Sequence, residues 1–148
     1  GGRVKKILAL LFTAAILLGG EMKARYASPH PSVEHPRRVI FQFGHGDEKS
    51  ASKLINYVVN IQKAYDPGHV DVAVVCLNEG IFLIKNDTPL KDRVESLMEG
   101  GVEFVACENT MDTKKLSKTD MLKGISYTRA GMQEIIERKL SGWIYLAP

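Results

Sequence analysis

The sequence predicts an α/β fold: a three-layer α/β/α sandwich with a mainly parallel sheet of about five strands. Strand-like and helix-like stretches alternate from residue 37 onward, and each connection is long enough to hold a crossover helix. The run at residues 70–77 is almost continuously apolar, which is typical of a strand that is buried on both faces. Together these observations favour a sheet that is covered by helices on both sides.

The first half of the domain begins with a predicted strand at residues 39–43, which is rich in β-branched and aromatic side chains. Apolar residues then recur at helical spacing from residue 51 to residue 65. Asp47 is a good N-cap for this helix, and the Asp-Pro-Gly at residues 66–68 is a strong stop. The strand at residues 70–77 follows.

A second helix is predicted to start at Thr88 and Pro89, with the threonine as cap and the proline at the first helical position. It is expected to end at the Gly-Gly pair of residues 100–101. The third predicted strand occupies residues 102–107, where aromatic and β-branched side chains recur.

Ser117 and Asp120 have the spacing of a capping box, which predicts a short helix that ends at Gly124. The remaining predicted elements are a brief strand at 125–127, a helix at 132–140 and a final strand at 143–146.

The apolar run at residues 81–84 fits neither a strand nor a long helix. Sequence alone permits two assignments for it. It is either a helical turn or a surface that a partner subunit covers.

Three segments of different composition predict the domain organisation. Residues 1–27 combine early basic residues with an apolar run too short for an ordinary membrane span, which indicates a signal peptide or an uncleaved N-terminal anchor. Residues 28–36 hold three prolines and are expected to be an extended Pro/His linker. Residues 37–148 form the predicted domain. We therefore expect a periplasmic or secreted protein that touches a membrane only if the first segment is retained.

The charge distribution argues against a nucleic-acid partner. The net charge is +3, but residues 1–36 hold five Lys/Arg against two acids, while the domain holds equal numbers of each sign. A nucleic-acid binder would carry a basic stripe on the domain itself. The two cysteines and four histidines show no metal-ligand spacing, so we expect neither a metal nor another cofactor.

Cys107 is the strongest candidate for chemistry. In an open parallel sheet, ligands bind beyond the carboxyl ends of the strands, and Cys107 ends the third strand where a helix is expected to begin. A helix N-terminus lowers the pKa of a thiol, and the thiolate is the reactive form. The neighbouring Glu108 carboxylate would instead raise the pKa of the thiol. The alternative is a half-buried structural cysteine.

His45 and Glu79 follow the first and second strands, so both are candidate ligand-binding groups at the same edge of the sheet. Cys76 lies inside the apolar second strand and is expected to belong to the core. A disulfide between Cys76 and Cys107 would require neighbouring strands with both side chains on one face.

Several stretches of the domain resemble the DsrE/DsrF-like family: the strand at 102–107, the Glu-Asn-Thr-Met at 108–111, the segment 116–125, the helix at 130–135 and the closing Gly-Trp-Ile-Tyr-Leu-Ala-Pro at 142–148. The resemblance covers about residues 37–148. It implies a small α/β/α sandwich that assembles as a trimer or hexamer. In the sulfur-relay members of the family, a cysteine after the third strand accepts and passes persulfide sulfur, and Cys107 stands at the matching position.

The resulting expectation is an exported DsrE-like protein that binds or relays sulfur as a persulfide on Cys107. His45, Glu79 and Asn109 are expected to line its cleft, and a sulfur donor or acceptor protein is the expected partner. Two alternatives are a non-catalytic oligomeric binding or assembly module and a periplasmic thiol redox protein. The redox alternative requires a reversible disulfide, although the chain has no Cys-x-x-Cys motif.

Overall fold

The five strands form one sheet in which every neighbouring pair is parallel. The computed structural model of the protein describes residues 25–148, so most of the predicted export segment lies outside the described residues. The strand order is β4-β3-β2-β1-β5. The strands are β1 (Arg37–Phe43), β2 (Val70–Cys76), β3 (Glu103–Cys107), β4 (Ser126–Thr128) and β5 (Ile144–Leu146). The predicted α/β class is therefore confirmed.

Helices pack on both faces of this sheet. The α-helices are α1 (Glu48–Ala64), α2 (Lys91–Glu99), α3 (Glu108–Thr113) and α4 (Gly131–Leu140). Two 3-10 segments, Asn78–Ile84 and Lys118–Asp120, connect them. The larger core lies between one face of the sheet, α1, α2 and the first 3-10 segment. A smaller core on the opposite face packs against Ile135 of α4.

The start of α1 follows the sequence prediction. Asp47 is its N-cap, and the carboxylate accepts a hydrogen bond from the backbone N–H of Ser50 at 2.8 Å. The start of α2 comes later than predicted, at Lys91 with Leu90 as N-cap. The Thr88 hydroxyl oxygen accepts from the backbone N–H of Leu90 at 3.4 Å within the preceding turn, so it does not cap the helix.

The capping box at Ser117 and Asp120 is present, but it closes a 3-10 turn rather than an α-helix. The turn ends at Asp120, and the predicted continuation to Gly124 is wrong. Met121 instead pairs with Lys85 in an isolated antiparallel bridge, which leaves its backbone unable to continue a helix.

The apolar run at residues 81–84 forms the end of the first 3-10 segment. Ile81, Leu83 and Ile84 are almost completely buried against the chain's own core. The helical-turn assignment is therefore confirmed, and the expected partner-covered surface at this run is wrong. The burial arises because the 3-10 segment directs these side chains into the larger core, on the α1 side of the sheet.

Residues 25–36 contain no helix or strand and lie against the domain. The Tyr26 hydroxyl donates to the carbonyl oxygen of Ala64 at 3.1 Å. Arg37 Nη2 donates to the carbonyl oxygens of Ala27 and Pro29. Among residues 25–148, no helix is both long enough and apolar enough to cross a membrane.

Candidate functional site

A cleft of about 560 Å³ lies at the carboxyl ends of β2 and β3. Four groups of residues line it: Gln42 of β1, the beginning of the 3-10 segment after β2, the α3 segment that begins after Cys107, and the first residues of α4. Ligands of open parallel sheets bind at this edge, because the loops that follow neighbouring strands meet there.

Cys107 ends β3 and is also the N-cap of α3. Only 6% of the residue is exposed, and it lines the cleft. Strand β4 pairs with β3 so that Thr128 lies opposite Cys107. The chain then turns directly into α4, and the backbone N–H of Gly131 donates to Cys107 Sγ at 3.3 Å. The starts of two helices thus meet at one sulfur atom.

Glycine at position 131 allows this close approach. A Cβ atom there would lie 3.1 Å from Val75 Cγ1 and 3.2 Å from Cys107 Cβ. Both distances are shorter than ordinary van der Waals contact, so a side chain would push the start of α4 away from the sulfur.

The surroundings of Cys107 stabilise its thiolate. Burial of the sulfur by itself raises the pKa, but the hydrogen bond from the Gly131 N–H, together with the nearby polar groups of Thr110 and Asn109, outweighs it. The pKa of Cys107 therefore lies below its ordinary value. A larger fraction of the thiol is ionised at neutral pH than in an unperturbed cysteine.

Thr110 links the sulfur to the 3-10 segment. Its hydroxyl oxygen accepts from the backbone N–H of Asn78 at 3.0 Å, which leaves the hydroxyl proton free to donate to the thiolate. Asn78 adopts a left-handed backbone conformation with φ of 50°, which asparagine tolerates better than most residues. This turn brings Glu79 into the lining of the cleft.

The acidic groups near the cysteine are paired with basic ones. Lys114 Nζ contacts Glu79 Oε1 at 2.7 Å, and both residues line the cleft. Glu108 contacts both Arg129 and Lys118 at 3.6 Å. The repulsion that Glu108 was expected to exert on a thiolate is offset by these two cations.

The structure brings together three of the four residues that the sequence singled out. Cys107, Glu79 and Asn109 line one cleft. His45 is exposed, and it lies beside Phe43 in a different depression. The expected position of His45 in the cleft is therefore corrected. The physical reason is the face of the sheet, because His45 lies beside Phe43 of the larger core, whereas Cys107 belongs to the core on the opposite face.

Cys76 and Cys107 lie on neighbouring strands but belong to different cores. Cys76 is completely buried on the α1 side of the sheet, whereas Cys107 faces α4, and both thiols are free. An intrachain disulfide between Cys76 and Cys107 is therefore excluded. A thiol redox function that depends on this disulfide is excluded for the same reason. Burial strongly raises the pKa of Cys76, which keeps this thiol protonated.

The sequence profile of the DsrE/DsrF-like family matches residues 37–148. The chain belongs to this family. Its match covers every strand of the sheet as well as the cleft around Cys107. None of the curated proteins compared with the chain matches it.

Solved structures of similar fold include proteins from the following three microorganisms. The protein of unknown function MTH1491 from Methanobacterium thermoautotrophicum is 29% identical with a TM-score of 0.73, over 76% of this chain and 99% of that one. The conserved protein of unknown function BT1422 from Bacteroides thetaiotaomicron is 15% identical with a TM-score of 0.59, over 75% and 94%. The ychN protein from E. coli is 13% identical with a TM-score of 0.60, over 76% and 99%. The last two similarities establish the fold alone.

Sequence reasoning missed Thr110, Gly131 and Arg129 as neighbours of the Cys107 sulfur in this DsrE/DsrF-like domain. Thr110 had a local signal, since it lies three residues after Cys107 at the start of the expected helix. Gly131 and Arg129 reach the site only through the pairing of β3 with β4, which no local pattern indicates. Within residues 25–148, no group of three or more His, Cys, Asp or Glu side chains is placed to hold a metal ion.

Proposed function

We propose that this DsrE/DsrF-like protein binds or relays sulfur as a persulfide on Cys107. The observation that carries the proposal is the contact of the Gly131 N–H with Cys107 Sγ at the base of an open cleft. A backbone donor aimed at the sulfur stabilises the thiolate, which is the nucleophile in sulfur exchange.

The transfer step needs only a persulfide donor, R–S–SH. The Cys107 thiolate attacks the outer sulfur, a new S–S bond forms at Cys107, and the S–S bond of the donor breaks. The donor leaves as the thiolate R–S⁻, and Cys107 becomes Cys107–S–SH. No oxidant or reductant is consumed, because the sulfane sulfur moves between two thiolates.

The cleft has suitable groups for a terminal sulfur. The Lys114 ammonium and the Asn109 amide line it, so a negatively charged persulfide would meet a cation and hydrogen-bond donors there. The donor and the acceptor must each bring a thiol to a residue that is only 6% exposed. A sulfur donor or acceptor protein with a protruding cysteine is the partner that fits this geometry.

The proposed compartment follows from the N-terminal sequence. Residues 1–27 have the composition of an export signal or an N-terminal anchor, so we place the sulfur chemistry in the periplasm or outside the cell. Reporter fusions to residues 1–36 that are active only after export test this assignment, and activity of a cytoplasmic reporter alone contradicts it.

Two single-cysteine variants test the proposal. Cys107→Ser is expected to lose sulfur loading from a persulfide donor, whereas Cys76→Ala is expected to load like the native chain. The chain has two cysteines, so each variant leaves one thiol for mass spectrometry to follow. Loading that survives Cys107→Ser contradicts the assignment. Cys76→Ala also controls for a general loss of structure, because it removes a buried sulfur at a cost of about 1 kcal/mol.

A second candidate function, an oligomeric binding or assembly module, is favoured by an exposed surface of α4. Met132, Ile136 and Leu140 are 52%, 53% and 78% exposed. They recur every four residues and therefore lie along one side of the helix, here called the α4 stripe. A second copy of the chain that covers this stripe would remove three large apolar side chains from water. The two functions are compatible, since Met132 also lines the cleft.

A further inference from the structure

Arg129 lies in the short connection between β4 and α4, one residue after the partner of Cys107 in the sheet. Its guanidinium donates to the side-chain oxygen of Asn109 twice, from Nε at 2.9 Å and from Nη2 at 2.7 Å. It also pairs with Asp112 one turn further along α3. Its Nη1 also lies 3.6 Å from Glu108 Oε2, so a single side chain contacts three residues of α3.

The backbone of Arg129 contacts the same helix. The backbone N–H of Asn109 donates to the carbonyl oxygen of Arg129 at 3.1 Å. Two residues later in the chain, the backbone N–H of Gly131 donates to Cys107 Sγ. The connection that delivers this donor is therefore attached to α3 through both the main chain and the side chain of Arg129.

We infer that Arg129 is a positioning residue for Cys107: it fixes the β4–α4 connection against the first turn of α3, so that the Gly131 N–H reaches the sulfur. The inference deepens the proposed function and rests on it, since it concerns the same sulfur. In the described residues Arg129 makes no hydrogen bond to Sγ. Its charge interacts with the thiolate through space, and the inferred positioning passes through the backbone that it holds.

The chemistry of arginine suits this role better than that of lysine. The planar guanidinium presents several N–H donors in fixed directions, so it bonds the Asn109 amide and the Asp112 carboxylate at the same time. A lysine ammonium has the charge but not this fork. The Arg129 side chain is 59% exposed, so its charge alone would contribute little to holding the β4–α4 connection against α3.

Arg129 is one of several charged residues around the cysteine. Within the described residues, Glu108 and Asp112 belong to α3, Lys114 follows it, and Glu79 comes from the 3-10 segment. Lys118 shares Glu108 with Arg129 but makes no hydrogen bond to Asn109. It therefore offers a matched control for the loss of one positive charge near the cleft.

The test is the pH profile of Cys107 alkylation by iodoacetamide in the Cys76→Ala background. With Arg129→Gln, the midpoint of the profile is expected to move to higher pH, and the rate at neutral pH to fall on the order of fivefold. Arg129→Lys is expected to move the midpoint nearly as far, because the fork is lost although the charge is kept. Lys118→Gln removes one of the two cations beside Glu108 and keeps the contacts of Asn109, so it is expected to move the midpoint much less than Arg129→Gln.

Three results overturn the inference: an unchanged midpoint in Arg129→Gln, a native midpoint in Arg129→Lys, or an equal shift in Lys118→Gln. The last two would mean that charge alone acts on the thiol. If Arg129→Gln does not fold, Asn109→Ala removes the shared acceptor and is expected to shift the midpoint in the same direction. An unchanged midpoint there also overturns it. Alkylation needs no persulfide, so a failure of sulfur loading is seen separately from a failure of this inference.

Discussion

At the scale of single residues, the two cysteines show how one side chain acquires opposite properties in adjacent strands. Cys107 receives hydrogen bonds at the edge of the sheet, and its pKa is lowered. Cys76 is surrounded by apolar side chains, and burial raises its pKa. The difference comes from the face and the end of the strand on which each lies, and only Cys107 is suited to nucleophilic chemistry.

Selective alkylation follows from this difference. At neutral pH, iodoacetamide is expected to modify Cys107 in the folded chain and to leave Cys76 unmodified until the protein is denatured. Because the pKa of Cys107 is lowered, its reaction continues at pH values below those at which an ordinary thiol becomes slow. Peptide mass spectrometry identifies the modified residue. Equal modification of both thiols in the folded chain would contradict the account.

Gly131 offers a test of the hydrogen bond to the sulfur. Gly131→Ala is expected to reduce the free energy of unfolding by about 1 to 3 kcal/mol through overpacking against Val75 and Cys107. It is also expected to raise the pKa of Cys107, because the N–H donor moves away. Chemical denaturation and the alkylation profile measure the two effects.

Gly44→Ala is the matched control for that substitution. The nearest atom to a Cβ at Gly44 is 3.8 Å away, so the methyl group fits without strain. We expect native stability and a native alkylation profile. A shift of the Cys107 profile in this variant that equals the shift in Gly131→Ala would mean that the hydrogen bond is not the cause.

The sequence was sufficient to place Cys107 and Asn109 at the cleft, because both follow the end of a strong β-pattern and the rule for parallel sheets then applies. It was not sufficient for His45, whose loop also follows a strand. The strand order and the face of the sheet on which a residue packs decide which residues meet, and local patterns contain neither property. Gly131 and Arg129 were missed for the same reason.

At the scale of elements, a helix cap predicted a helix correctly only where a long amphipathic pattern followed it. Asp47 caps α1 as predicted, because a long amphipathic pattern followed the cap. Ser117 and Asp120 form their capping box at a three-residue 3-10 turn and not at an α-helix, since no apolar periodicity continues after them. A capping motif therefore determines how a turn begins, and burial of a face determines how far a helix extends.

The cap of α1 gives a pH-dependent prediction. The hydrogen bond from the backbone of Ser50 lowers the pKa of Asp47 below its ordinary value. A carboxylate with a lowered folded pKa stabilises the fold above its unfolded pKa, and this contribution is lost as pH falls through the folded value. Asp47→Ala is expected to reduce stability at neutral pH, and the difference from the native chain should narrow below about pH 4.

Denaturation curves across this pH range measure that difference. The alkylation profile of Cys107 serves as the control, since α1 packs on the face of the sheet opposite to the sulfur. A stability difference that stays constant from neutral to acidic pH would contradict the role assigned to the Asp47 carboxylate.

At the scale of the whole molecule, the topology creates the cleft. Strands β2 and β3 are neighbours and parallel, so the 3-10 segment after one meets α3 after the other. The parallel sheet and its five strands were predictable because buried strands and long crossovers are strong signals. The exposure of the α4 stripe was not predictable, since Met132, Ile136 and Leu140 have the same spacing as a buried helical face.

Assembly provides the prediction at this scale. If a second copy covers the α4 stripe, Ile136→Glu is expected to lower the mass that light scattering measures, because a charge would be buried without a partner. Tyr57→Glu puts the same charge in place of an exposed apolar side chain on α1, on the opposite face of the sheet, and is expected to leave the mass unchanged. A native chain that is monomeric at all concentrations would contradict the assembly proposal.

Intact-mass spectrometry of the native chain with and without a persulfide donor measures whether Cys107 accepts sulfur. We expect a gain of one or more sulfur atoms that peptide mapping assigns to Cys107 and that a thiol reductant removes. A chain whose Cys107 remains open to alkylation but gains no sulfur from the donor would contradict the account.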